Sequence, residues 1–445
     1  MAAVPRDKTA FSLRTGNKPT LMAKSSFFLD FSLLKQNAHF RAIFVARMLS
    51  VFALGMLTVG VPVQIQAMTG STLQVGMAVA LDGIGMFIGL MLGGVLADRF
   101  DRRKLILFAR ATCGLGFVAL SLNAFSGSPS LLALYLLAAW DGFFGALGMT
   151  ALMAVIPLLV GRENLPAAGA LTMLTVRLGA ILSPALGGVI IVAGGVGWNF
   201  AVAAAGTLAT LIPLVRLPAM KPAPGKPEHP LQALVGGVRF VCAHPVVGCV
   251  VLLGMLVSVV GAMRVLFPAL AGDAYHAGPS AVGLMYSAVP LGAMLGAFTS
   301  GWVSGVQRPG RILLGCATGA FLAVGSLGVF SHLLPALLAL VCYGYFNAIT
   351  SLLQFTLIQS HTPDHLLGRV NSLGTAQDVT GDSVGALILG VMGKLLAPAS
   401  SILVFGAAAA LLGSVMALLV RPLRQCRFGE PSPDEEKTGD AIQEG

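Results

Sequence analysis

The chain has 445 residues, of which 56% are apolar and only 10% charged, with 28 Lys+Arg against 18 Asp+Glu and a formal net charge of +10. A soluble domain carries roughly a quarter of its residues charged, so the composition excludes a cytosolic enzyme, a secreted disulfide scaffold and a nucleic-acid binder, and it sets most of the surface against lipid. The positive charge falls in short segments between apolar stretches, where it orients a membrane protein.

In chain order, residues 1–38 form a cytoplasmic N-terminal extension with Arg6, Lys8, Arg14, Lys18 and Lys24; no small-residue cleavage site follows, so it does not read as a signal peptide. A spanning helix needs about twenty mostly apolar residues. By that measure there are twelve candidate spans: 40–67, 73–98, 104–126, 130–159, 167–193, 197–215, 245–270, 279–305, 310–331, 334–359, 368–396 and 400–420. Between the sixth and seventh, 216–240 holds five prolines with Lys221, Lys226 and Arg239, and is the linker between two halves. The expected organisation is an N-terminal six-helix bundle at 39–215, a cytoplasmic linker at 216–240, a C-terminal six-helix bundle at 241–421 and a disordered acidic cytoplasmic tail at 422–445. The fold class is thus an all-α membrane protein of twelve transmembrane helices. Even-numbered loops hold Arg99, Arg102, Arg103, Lys104, Arg162, Arg308, Arg311 and Arg369, while the odd-numbered ones hold almost none, which puts both termini in the cytoplasm. Lys394 is the exception, as a snorkelling side chain near a helix end.

The halves repeat. Val75-Gly76, Gly85, Gly89 and Gly94 recur 207 residues later as Val282-Gly283, Gly292, Gly296 and Gly301, and Pro62 has a counterpart in Pro268. Small residues also stand every fourth position in Gly85-Gly89-Gly93, Gly179-Ser183-Gly187, Gly292-Gly296-Ser300 and Gly381-Gly385, on spans two, five, eight and eleven. Such stripes let helix backbones approach closely in lipid. A metal centre and a disulfide framework are not expected, since the six cysteines include no CxxC pair. No HExxH motif, mid-span Ser-His pair or phosphate loop is present, so neither an enzyme nor an ATP-driven pump is indicated, and no cofactor is implied. A receptor or scaffold would need a sizeable soluble domain, and no internal loop exceeds the linker.

Ionisable residues in mid-span each cost about 2.5–3.5 kcal/mol at a helix centre, so they face the bundle interior. They are Arg47, Asp82, Asp141, Arg177, Arg264, Asp378 and Asp382. Asp378 and Asp382, four apart, share one helix face and repel one another, which favours proton exchange at one of them, with Asp82 as a third candidate for proton coupling.

The run from Gly94 through Asp98, Arg99, Arg102 and Arg103 to Lys104 resembles the loop signature of the major facilitator family, with Asp101 where that family usually has glycine. The parallel six-span repeat fits the same family. The resemblance implies alternating access by two rocking bundles, a gate at these residues in which Asp98 meets Arg102 or the start of span eleven in one state only, and an interface between halves formed by spans two, five, eight and eleven. Gly179 to Gly188 resembles the glycine-proline signature of exporting members, with Ser183 in place of a glycine. The blocks Leu33 to Arg47, Val61 to Gln66, Trp140 to Phe144, Gly161 to Asn164, Thr172 to Gly179, Gly368 to Asn371 and Thr375 to Asp382 resemble more closely the members that export catecholate siderophores of the enterobactin kind from enteric bacteria. That resemblance implies a bacterial inner-membrane protein moving a siderophore from cytoplasm to periplasm by proton antiport. Its expected partners are the siderophore, protons and membrane lipid, with a periplasmic or outer-membrane efflux partner as a further expectation and no nucleic acid. The expected cargo contacts are Arg47, Asp141, Arg177, Arg264, Asn347 and Gln354, because arginine offers both hydrogen-bond donors to catechol oxygens and cation-π stacking to the rings. A multidrug or other amphiphile exporter of the same fold is the alternative.

Overall fold

The computed structural model describes residues 32–161, 164–220 and 238–426. Arg162, most of the linker with Lys221 and Lys226, the extension before residue 32 and the tail after residue 426 lie outside the described residues.

Within the described residues twelve long helices occupy the twelve expected places: α1 (Ala38–Thr69), α2 (Thr72–Arg99), α3 (Arg102–Phe125), α4 (Leu131–Val160), α5 (Leu165–Gly194), α6 (Val196–Ala209, prolonged by Leu211–Leu214), α7 (starting as Pro245–Gly261), α8 (Pro279–Thr299), α9 (Pro309–Ser326), α10 (Leu333–Ser360), α11 (Asp364–Leu395) and α12 (Pro398–Leu419). Among the described residues eleven are long and apolar enough to cross a membrane. The twelfth, α11, has the length but carries Asp364, Arg369, Asp378, Asp382 and Lys394. It packs against α2, α7 and α12, and Asp378 and Asp382 turn to the space between the halves instead of lipid.

Local chemistry sets the helix ends. Asn37 caps α1 by accepting from the amides of His39 (3.1 Å) and Phe40 (2.9 Å), and its own amide donates to the Leu159 carbonyl at 2.8 Å. Gly70, at φ 61°, ends α1 in the left-handed conformation that glycine adopts without strain, so α2 can begin two residues later. At Asp101 the carboxylate caps α3 through the Arg103 amide (2.9 Å) and also accepts from the Met220 amide at 3.1 Å. The aspartate therefore ties the α2–α3 connection to the end of the N-terminal half. Slight burial pushes the Asp101 carboxyl up, but the amides of Met220, Arg103 and Lys104 outweigh it and hold it below the usual carboxylate range.

Helices α1 to α6 pack on one another, as do α7 to α12, and the halves meet along two seams, α2 against α11 and α5 against α8. The repeat is visible as equivalent packing. A Cβ on Gly85 would strike the Ala139 carbonyl of α4, and one on Gly292 the Val341 carbonyl of α10. Gly89 and Gly296 lie in the same way against Phe143 and Tyr345. The small-residue stripes thus seat each helix within its own half: Gly179 and Gly187 face α1, and Gly381 and Gly385 face α7. The seams between halves use other glycines. On α5 and α8, a Cβ on Gly188 would come within 2.9 Å of the Pro279 carbonyl and 3.2 Å of the Gly283 Cα. On α2 and α11, Thr72 Oγ1 donates to the Gly390 carbonyl at 3.0 Å, and Gly76 abuts Ala386 and Gly390.

Both seams close at one end. The connections there, from α1–α2 to α11–α12, carry no Lys or Arg. At the other end lie Arg99, Arg102, Arg103, Lys104, Arg308, Arg311 and Arg369, and the space between the halves runs toward it past Gln354, Phe355, Ile358 and Gly374. The molecule is therefore shut at its uncharged end and open at its basic end.

Candidate functional site

The seventh helix is where regular structure gives way. After Gly261 the chain tightens into a 3-10 segment (Ala262–Leu266), makes one α turn (Phe267–Ala269) and widens into a π segment (Leu270–Ala274). Pro268 lies in this region and removes a backbone donor, whereas its counterpart Pro62 is absorbed in a continuous α1. Departures of this kind concentrate at functional positions, and the 3-10 segment carries Arg264. The Arg264 guanidinium pairs with the Asp382 carboxylate of α11, while its backbone carbonyl accepts the Tyr286 hydroxyl of α8 at 3.1 Å.

These groups wall a cavity of about 930 Å³ between the halves. One turn from Asp382, Asp378 also lines it and accepts from Ser258 Oγ at 2.8 Å. With its side-chain amide turned so that both its oxygen and its nitrogen are satisfied, Gln377 bridges to α7, donating to the Val251 carbonyl (3.1 Å) and accepting from the Met255 amide (3.0 Å). Asn347 and Gln354 of α10 line the same space; Asn347 Oδ1 is buried without a hydrogen-bond partner, and Gln354 Nε2 reaches the Val250 carbonyl at 3.5 Å. The aromatic walls are Phe267, Tyr286, Tyr343 and Phe355.

A second cavity of about 410 Å³ opens off the first inside the N-terminal half. Arg47, Asp82 and Asp141 line it, Asp82 and Arg264 bordering both spaces. Gly142 brings α4 so close to α2 that a Cβ there would approach the Met86 amide to 2.9 Å, which is why Asp82 and Asp141 share this chamber.

Of the residues expected from sequence, Arg47, Asp82, Asp141, Arg264, Asn347, Gln354, Asp378 and Asp382 all face one or both cavities. Arg177 does not. It is half-buried on α5 and lines neither, because the face of that helix turned inward is occupied by Val176, Ala180, Ser183 and Pro184. The residues expected to form a gate lie at the basic end: Asp98 is 61% exposed and reaches Arg102 at 3.9 Å, Arg99 is exposed, Arg103 donates to the Val215 carbonyl, and Gly94 has open space before it. Missing from the sequence reading is Arg110, only 8% exposed, which lines the smaller cavity from α3. It lies eight residues beyond Arg102, about 12 Å along the helix, which is too deep for an interfacial cation. Tyr286 and Tyr343 were also missed, since nothing local distinguishes a cavity tyrosine from a core one.

The arrangement offers a large space with mixed aromatic, cationic and carboxylate walls, reached from one side. Such a layout suits binding and release of a sizeable polar aromatic molecule. In sequence, the chain is 52% identical over 413 residues to an enterobactin exporter, EntS, of Citrobacter koseri, covering 93% of this chain and 99% of that protein. It is 50% identical over 418 residues to an enterobactin exporter of Escherichia coli O6:K15:H31, covering 94% of this chain and 100% of that protein. In fold it is similar to the nucleoside transporter NupG (TM-score 0.72, 10% identity, 86% of this chain and 99% of that one) and to a peptide transporter, POT (TM-score 0.70, 14% identity, 87% and 95%). Residues 43–379 match the model of the Major Facilitator Superfamily. The chain is therefore a multi-pass membrane protein that belongs to the Major Facilitator Superfamily.

Proposed function

We propose that this chain is a secondary active exporter that carries a catecholate siderophore of the enterobactin kind from cytoplasm to periplasm in exchange for protons. The observation that carries the reading is the cavity of about 930 Å³ between the halves, where Arg264, three aspartates and four aromatic rings converge. A catechol brings an aromatic face, hydroxyl donors and oxygen acceptors, and each finds a counterpart on these walls. Relatives named as enterobactin exporters, half identical over nearly the whole chain, support the same cargo.

The positive-inside rule assigns the basic end to the cytoplasm, which makes the state described here inward-open and both termini cytoplasmic in a bacterial inner membrane. On this reading the bundles at 39–215 and 241–421 rock about the cavity, and the contact of Asp98 with Arg102 tightens or breaks as the basic end closes. Antiport follows from the carboxylates. An ionised Asp378 or Asp382 accepts a hydroxyl hydrogen bond, as Asp378 does from Ser258, and a protonated one presents fewer acceptor sites. Cargo hydroxyls and protons then compete for the same oxygens, so a proton arriving from the periplasm favours cargo release.

Deleting the gene and measuring secreted catecholates by mass spectrometry under iron limitation tests the reading. Secretion should fall and be restored by the intact gene but not by an Arg264→Ala copy. Unchanged catecholate secretion, with altered efflux of unrelated amphiphiles, would overturn the cargo in favour of multidrug export.

A further inference from the structure

The smaller cavity has a composition that packing alone does not explain. Its walls are mostly apolar side chains of α1 to α4, yet two arginines from different helices, Arg47 and Arg110, enter it together with Asp82, Asp141 and Ser50. Three buried atoms there have no hydrogen-bond partner: Arg47 Nε, Ser50 Oγ and Asp141 Oδ1. Ser50 is 2% exposed and Arg110 8%. Neither Arg47 nor Arg110 has a carboxylate within ion-pair distance among the described residues, although Asp141 acts on Arg110 electrostatically. A buried cation without a close partner is costly, and buried polar atoms are almost always satisfied, so a native arrangement of this kind calls for an occupant.

The third arginine on its walls, Arg264, differs. It stands at the mouth, shared with the central cavity, and Asp382 already holds its guanidinium. The donors still available for an incoming oxygen are therefore those of Arg47 and Arg110, deep in the N-terminal half. Gly145 lines the chamber, and a Cβ there would meet only Asp141 Oδ1, at 3.8 Å, while Gly148 lets α4 approach Ala109 and Arg110 of α3 closely.

We propose that this chamber is a second cargo subsite, which takes a single aromatic ring bearing hydroxyl or acid oxygens. Arg47 and Arg110 donate to the ring oxygens, and Asp141 and Ser50 accept its hydroxyl hydrogens. The apolar walls, among them Leu57, Val61, Leu120 and Leu137, cover the ring faces. At about 410 Å³ the chamber suits one substituted ring, so the remainder of a larger cargo stays in the central cavity and the two spaces together measure its length. This deepens the reading of the central cavity and rests on it for the identity of the complete cargo.

The probe is 2,3-dihydroxybenzoate, one catechol ring with its acid group, titrated by calorimetry into the purified full-length protein in lipid nanodiscs, with the intact siderophore titrated in parallel. Arg110→Gln removes the cation, Arg110→Lys keeps charge without the planar fork, and Gly145→Leu fills the chamber beside Asp141 without removing any charge. Arg110→Gln and Gly145→Leu should each weaken ring binding at least tenfold, with Arg110→Lys between them and the wild type, and thermal unfolding should confirm that each variant is folded. Wild-type ring affinity in folded Gly145→Leu overturns the subsite, as does failure of the wild type to bind the ring while it binds the siderophore, in which case water satisfies the chamber and the export reading stands. A wild type that binds neither overturns both.

Discussion

Replacing Asp382 by asparagine preserves the shape of the side chain and removes the carboxylate that pairs with Arg264. The two side chains are 40% exposed (Arg264) and 25% exposed (Asp382), so the pair stands at the cavity wall and is not sealed in the core. Its loss is then comparable to that of a hydrogen bond to a charged group, about 1.5–3 kcal/mol, and below the ~3–5 kcal/mol of breaking a deeply buried pair. The pair favours whichever transport state forms it, and at 1.4 kcal/mol per factor of ten the loss shifts that equilibrium roughly 10- to 150-fold. In proteoliposomes with an imposed pH gradient, Asp382→Asn should lower uphill, proton-driven export more than tenfold and leave downhill exchange of cargo intact. Uphill export at the wild-type rate would refute the coupling role of this pair. Survival of that export in the Asp378→Asn, Asp382→Asn double variant would move the proton site to Asp82 or Asp141.

Arg264→Ala should weaken cargo binding in a purified-protein titration by more than tenfold, while Arg177→Ala, outside both cavities, should change it by less than threefold. Asp98→Asn should leave folding untouched, since the carboxylate is 61% exposed, but slow export by shifting the balance between inward and outward states, as read by cysteine accessibility at the basic end. Gly188→Val should pry open the α5–α8 seam, because even a Cβ would stand 2.9 Å from the Pro279 carbonyl. The strain of about 1–3 kcal/mol should raise labelling of cysteines placed near Pro279 and reduce export. Asp101→Ala should lower thermal stability by about 1 kcal/mol at neutral pH through loss of the α3 cap. Because the folded carboxyl titrates below its ordinary value, its contribution is present above the unfolded pKa of about 4 and is lost as pH falls through the folded value; the gap between variant and wild type should close in that window.

The sequence determined the twelve helices and most of the groups that line the cavities, because both follow from partition between lipid and protein. A run of about twenty apolar residues must span, and Arg47, Asp82, Asp141, Arg264, Asp378 and Asp382 must turn inward wherever the neighbouring helices lie. The repeat was legible for the same reason, since Gly76 and Gly283 perform one task in two halves. What each helix face touches depends on rotation and crossing angle, which an all-apolar helix in lipid leaves undetermined. That is why the stripe Gly85-Gly89-Gly93 could be read as a seam between halves when it seats α2 against α4, and why Arg177 could be placed in the cavity when Val176 holds the inward position. Arg110 was passed over behind the basic run that starts α3, although it lies about 12 Å further in; packing of α3 against α4 and α6 buries it. Tertiary structure alone joined Arg264 to Asp382 across 118 residues and chose the end at which the halves close, because both are set by contacts between helices whose sequences carry no mark of their partner.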